Sequence, residues 1–257
     1  MTDRTPVRTV SSISLALVLA ATSVTLLAGL VVKAPCASGE WSAGIQYKHL
    51  CYSDLVPLFG TEHLGGGRLP YVDHCPPEAG QQCDEYPVLT MWFMRVAAWI
   101  GPGYAPFFFA NVALLAAAAL ITAALLYRMA GARALYFALA PTLLIYGFMN
   151  WDLFAVALAT AGTYFFFKRK DGAAGAMLGL GAAAKLFPGL LLIPFALTRL
   201  RAGQRREAGV LAGWTVGSWL VVNVPFALLA PHQWQTFFRF NTQRPVDWDS
   251  LWFVACH

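Results

Sequence analysis

Asp54 lies in the stretch CYSDLVPLFGTEHLGGGRLPY at 51–71, a polar, glycine-bearing segment between long apolar runs. A carboxylate there either faces water or does chemistry, because leaving it unpaired in an apolar place is costly. Four other ionisable residues share that situation: Asp152 in the tripeptide Asn150, Trp151, Asp152; Lys185 in AAAKLFPG; and Arg244 and Asp249 in FNTQRPVDWDSLW. Carboxylates with cations nearby suit three tasks: taking the proton of a hydroxyl nucleophile, holding a phosphate, or conducting ions. Each residue also has a plainer explanation. Asp54 fits the first turn of a helix, where the macrodipole favours negative charge. Asp152 fits a simple ion pair, Lys185 a side chain snorkelling to the surface, and Arg244 and Asp249 a solvated loop. The glycines at 65–67 lack the Lys-Ser/Thr of a phosphate loop and read as a turn. His49, His63 and His74 lack ligand spacing, so no metal site is expected.

These residues must be positioned by a chain that is 58% hydrophobic and 12% charged over 257 residues, with a mean hydropathy of +0.56. Soluble globular domains do not have that composition. Apolar runs at 10–32, 105–127, 134–149, 153–167, 172–198 and 208–230 are rich in Ala, Leu, Val, Phe and Gly. Several reach the roughly 20 residues that span about 30 Å of hydrocarbon, and β-barrel alternation is absent. The expected fold is all-α, a polytopic transmembrane helical bundle forming one domain over 1–257.

The net charge of +5 does not mark a nucleic-acid binder, because the basic residues gather at the ends of apolar runs: Arg4 and Arg8, Arg128 and Arg133, residues 168–170, and Arg199, Arg201, Arg205 and Arg206. The positive-inside rule puts these clusters in the cytoplasm. On that assignment 11 of the 18 Lys and Arg are inside and 10 of the 13 Asp and Glu outside. The first run is too long for a signal-peptide core and is read as an uncleaved span with a cytoplasmic N-terminus. A multi-pass protein of the cell (plasma) membrane follows, with its active face extracytoplasmic.

The loop at 33–104 is too long for a connector. It holds Cys36, Cys51, Cys75 and Cys83, and an oxidising location predicts up to two disulfides in any of three connectivities. Cys256 is expected to stay outside these pairs. Two surface helices are predicted in the loop, one at 53–64 opening on Ser53 as N-cap and one at 87–100 whose tryptophans suit a membrane surface or a plug against the bundle. Pro141 predicts a kink. The run at 172–198 predicts a hairpin turning near residues 185–188, since proline disfavours helix at the residue before it and a single crossing would strand four arginines outside. Seven spans result. A second outer segment occupies 231–257, and further spans are expected beyond Cys256-His257.

The blocks YSDL (52–55), GGGRLPY (65–71), EYPVLT (85–90), NWDLFAVALA (150–159), GLGAAAKLFPGLLLIP (179–194) and FNTQRPVDWDSLW (240–252) together resemble the GT-C fold, polyprenyl-phosphate-dependent glycosyltransferases of family 87, the actinobacterial group. The resemblance implies transfer of a hexose, with mannose the expected sugar, from a polyprenyl-phosphate donor to a hydroxyl of a glycolipid or exported glycan. It implies Asp54 as catalytic base in the first outer loop, Asp152, Lys185, Arg244 and Asp249 as substrate contacts, and no cofactor beyond the lipid-phosphate co-substrate. Membrane lipids are the other expected partners. Members of the family are longer, and the four loop cysteines are not required by it. The competing expectations are a transporter or lipid-translocating protein, for which short broken helices are also apt, and a structural membrane subunit.

Overall fold

The computed structural model describes residues 13–76, 83–245 and 251–256. It is 77% helical, with no strand among the described residues, so the all-α expectation holds. Among the described residues, eight helices have ten residues or more: α1 (Leu15–Lys33), α2 (Val88–Ile100), α3 (Tyr104–Ala130), α4 (Asp152–Phe167), α5 (Asp171–Ala184), α6 (Leu192–Arg201), α7 (Arg205–Leu229) and α8 (Pro231–Gln243).

Local chemistry explains where they start and stop. Ser14 caps α1, its Oγ accepting the Leu17 N–H at 3.2 Å. Gly101 leaves the helical conformation and ends α2, and glycine is required there because a Cβ would fall 2.3 Å from the Pro106 carbonyl oxygen in the first turn of α3. The expected kink at Pro141 is a full break: Ala140 is extended, and Pro141 opens a new short helix, Pro141–Tyr146. The hairpin at 185–188 also forms. Helix α5 stops at Ala184, Lys185 is extended, and Pro188 lies in the first turn of Phe187–Leu190.

Helix α5 packs tightly because one side carries almost no side-chain volume. A Cβ on Gly175 would lie 2.3 Å from the Leu211 carbonyl oxygen, and one on Gly179 2.1 Å from that of Thr215. This Gly-xxx-Gly spacing brings α5 and α7 to backbone contact, the arrangement that joins helices where the hydrophobic effect gives little.

Among the described residues, three helical stretches, Leu15–Cys36, Tyr104–Ala138 and Arg205–Leu229, are long and apolar enough to cross a membrane. Helices α4, α5 and α6 are shorter, at 16, 14 and 10 residues. The long helices keep large apolar side chains outward, Val31 being 74% exposed and Val221 76%, which suits a hydrocarbon surround. Several basic residues of the helix ends are brought near one another by the fold. Arg169 donates to Gln204 at 3.0 Å, Arg199 pairs with Asp171, and Arg128 and Lys168 line one crevice. Arg4 and Arg8 fall outside the described residues.

Candidate active site

The 33–104 loop is fastened at its base before it reaches Asp54. Disulfides join Cys36 to Cys51 and Cys75 to Cys83, which selects one of the three connectivities. Lys33, buried at the end of α1, donates through Nζ to the carbonyls of Leu50 at 3.1 Å and Tyr52 at 2.7 Å. His63 lies beside Cys75 and Cys83, but those sulfurs are bonded to each other and offer no thiolates.

The predicted surface helix at 53–64 does not form as such. Only Pro57–Thr61 is α-helical, with a 3-10 turn at Leu64–Gly66, and Leu55, Val56 and Phe59 are buried in the core. Ser53 caps no α-helix, because the helix opens only at Pro57. Its Oγ accepts the Leu55 N–H at 3.3 Å in a local turn and its hydroxyl donates to the Phe148 carbonyl at 2.6 Å, while the Asp54 N–H donates to the Met149 carbonyl at 2.8 Å. The loop is therefore stitched to the corner that leads into Asn150, Trp151 and Asp152. The helix predicted at 87–100 does form as α2. It packs Met91, Met94 and Ala97 fully into the core while Val96, Trp99 and Ile100 stay exposed.

Asp54 then presents its carboxylate to two phenols. Oδ1 accepts from the Tyr52 hydroxyl at 2.8 Å and Oδ2 from that of Tyr86 at 3.4 Å. Burial raises the Asp54 pKa above the usual carboxylate range; the two tyrosine hydrogen bonds and the charges of Arg244 and Lys185 draw it back. Burial and the Asp54 charge push both tyrosines upward, so they remain protonated donors. Tyr86 is held edge-on against buried Trp151, with ring centres 5.2 Å apart, and Trp151 in turn donates to Asn111 at 2.7 Å.

Beneath Tyr86 lies a closed polar cluster. Arg68 pairs with Asp84 at 2.5 Å and lies 3.7 Å from Glu62. Glu62 accepts the N–H groups of Asp84 at 2.8 Å and Glu85 at 3.3 Å. Two carboxylates share one guanidinium here, and burial pushes Glu62 up to about 8.

The cationic side comes from the helix break. Thr90 in α2 donates to the Ala184 carbonyl at 2.6 Å, tying α2 to the last residue of α5 just before Lys185. The Lys185 ammonium pairs with Asp152, whose own N–H is received by Asn150 at 2.9 Å. Arg244 follows α8, which Trp234 fastens to Asn223 of α7 at 3.0 Å.

These parts surround a cavity of about 570 Å³, lined by Tyr52, Asp54, Glu85 and Tyr86 from the loop, Lys185 and Phe187 from the break, and Phe237, Phe240 and Arg244 from α8 and its end. Such a space combines a carboxylate of raised basicity, two cations and an aromatic surface. It can accept a proton, hold an anion and stack against a ring. Of the predicted residues, Asp54, Lys185 and Arg244 line it, and Asp152 stands behind Lys185 as its ion-pair partner. Asp249 falls in 246–250, outside the described residues. Tyr52, Glu85, Tyr86 and the α8 aromatics were not singled out from the sequence; the signal available was their place within YSDL, EYPVLT and the segment leading into FNTQ.

A family model described as glycosyltransferase family 87 matches residues 85–253, well over half of the chain. The chain belongs to glycosyltransferase family 87. As a family 87 member it is a membrane glycosyltransferase, which decides against the transporter alternative. The matched region contains Glu85, Tyr86, Asp152, Lys185 and Arg244, while Tyr52 and Asp54 precede it. No curated protein and no solved structure matches this family 87 chain.

Proposed function

We propose that this glycosyltransferase moves a hexose, mannose in the first instance, from a polyprenyl-phosphate donor to a hydroxyl of a glycolipid or exported glycan, with Asp54 as the base. The observation that carries this reading is that Asp54, Lys185 and Arg244, from three distant segments, line one cavity. The acceptor oxygen attacks the anomeric carbon and its proton passes to Asp54. The bond from that carbon to the phosphate oxygen breaks with its electrons, releasing polyprenyl phosphate. Lys185 and Arg244 offset the charge gathering on the leaving phosphate, and Asp152 orients Lys185. Tyr52 and Tyr86 hold the Asp54 carboxylate while its partial burial keeps it basic enough to accept a proton. Asp249 is a further substrate contact on the strength of the family pattern alone. The enzyme acts at the extracytoplasmic face of the plasma membrane, a reading supported by the gathering of basic helix ends away from the cavity.

Incubating the purified protein with radiolabelled polyprenyl-phosphate mannose and a native membrane-lipid fraction tests the donor. Label moving into a new lipid, with polyprenyl phosphate released in equal amount, is expected. Transfer from a nucleotide sugar but from no polyprenyl-phosphate hexose overturns the assignment.

A further inference from the structure

Glu85 shares the cavity with Asp54, yet the two carboxylates are satisfied differently. Asp54 accepts from two tyrosines. Among the described residues no hydrogen bond reaches the Glu85 carboxylate; only its backbone N–H is engaged, donating to Glu62. Burial raises the Glu85 pKa, Asp54 adds to the rise, and Arg244 opposes it. A carboxylate drawn away from water without donors is costly.

The backbone beneath Glu85 is fastened at each residue. Glu62 receives the N–H groups of Asp84 and Glu85. The Asp84 carboxylate takes the Tyr71 N–H at 3.1 Å and pairs with Arg68, and the Tyr71 hydroxyl donates to the Tyr86 carbonyl at 2.5 Å. Asp84 is thereby committed to the buried cluster, while Glu85 and Tyr86 reach the cavity. A carboxylate displayed on so anchored a platform, with no donor among the described residues, has the form of a ligand-binding group.

We infer that Glu85 recognises the acceptor, accepting hydrogen bonds from a hydroxyl that flanks the reacting one on a hexoside. The inference rests on the transferase reading of this cavity. A donor phosphate is repelled by a second carboxylate and belongs with Lys185 and Arg244. The acceptor is uncharged at its reacting end and approaches Asp54, the carboxylate whose charge Glu85 feels most strongly. A carboxylate has two oxygens and about four lone-pair sites, enough to hold sugar hydroxyls beside the one Asp54 deprotonates.

The test uses the full chain in detergent, polyprenyl-phosphate mannose as donor, and octyl mannoside, glucoside and galactoside as acceptors. Glu85→Gln is expected to raise the KM of the accepted octyl hexoside roughly 10- to 100-fold, leaving kcat and the donor KM near wild type. Wild-type enzyme loses a similar factor on a monodeoxy form of that acceptor lacking the flanking hydroxyl, and Glu85→Gln loses little more on it. A fall in kcat at unchanged acceptor KM overturns the inference, as does an equal loss on both acceptor forms. Transfer to native lipids but to no octyl hexoside also overturns it, and leaves the transferase reading standing. If Glu85→Gln does not fold, the wild-type deoxy series decides alone: no loss on any monodeoxy acceptor sinks the inference.

Discussion

Helix α5 carries an ion pair at each end, and the two are built to opposite purposes. At its first residue, Asp171 meets Arg199, whose side chains are only 8% and 6% exposed. The guanidinium also donates to the Phe166 carbonyl at 3.0 Å and lies 4.2 Å over the Phe166 ring, which itself stacks on Phe195. Just past the other end of α5, Lys185 meets Asp152 with side chains 38% and 46% exposed. Among the described residues Lys185 Nζ donates to Asp152 alone, although an ammonium has three donors. Both carboxylates obey the same local rule, each lying in the first turn of a helix, where negative charge is favoured. What differs is the surround. The arginine pair is closed by protein on every side, whereas the lysine pair opens on the cavity with donor capacity left over.

That contrast predicts which substitutions stop turnover and which unfold the protein. The largest effect is expected at the carboxylate facing the open end. Asp54→Asn should lower the transfer rate by roughly 10²- to 10⁴-fold, the usual worth of a general base, with an unchanged thermal melt in detergent. Lys185→Gln comes next, slowing transfer roughly 10²- to 10³-fold through lost stabilisation of the leaving phosphate. Because its ion pair is well exposed, its cost in stability is at most about 1 kcal/mol. Arg199→Ala should reverse the pattern. It leaves Asp171 buried without its partner and costs about 3–5 kcal/mol of stability, while the fraction that stays folded turns over normally. Equal effects of Lys185→Gln and Arg199→Ala on melting and turnover would erase the distinction between the two ends.

The smallest effect is a shift in pH dependence. The proposed base, Asp54, can accept a proton only when ionised, and burial raises its pKa, so activity is expected to fall with decreasing pH through a limb above the ordinary aspartate value. The Tyr86 hydrogen bond pulls that pKa down. Tyr86→Phe should therefore move the acid limb of kcat/KM to higher pH, and a limb that stays in place would remove Tyr86 from the base's surroundings.

Part of the fold and of the site was legible in the amino-acid sequence, and the parts that were not, the Asp171–Arg199 pair among them, have a common cause. The breaks at Pro141 and at residues 185–188 follow from proline's effect on its own neighbourhood, and both appear where expected. Hydropathy and charge placed along the chain put Asp54, Lys185 and Arg244 toward one membrane face; that they line one cavity is a tertiary fact. Ser53 keeps the local half of an N-cap, accepting the Leu55 N–H, but no helix follows until Pro57, and its hydroxyl donates to the Phe148 carbonyl, far away in sequence. The cluster of Glu62, Arg68 and Asp84 was invisible for a related reason: charges in a polar loop look solvated until the fold wraps them. Tyr52, Glu85 and Tyr86 belong to the same class. A tyrosine becomes a carboxylate's donor only through tertiary contact, and neither composition nor periodicity records that contact.

The most direct test of the account is to locate the donor phosphate. A polyprenyl-phosphate analogue with a diazirine beside the phosphate can be photolysed on the intact protein and the labelled peptides identified by mass spectrometry. Label is predicted at residues 185–187 and 237–244, around the open ion pair and the end of α8, and it should be competed away by polyprenyl phosphate. Competable label confined to residues 166–171 and 199–206, around the closed pair at the other end of α5, would contradict the account.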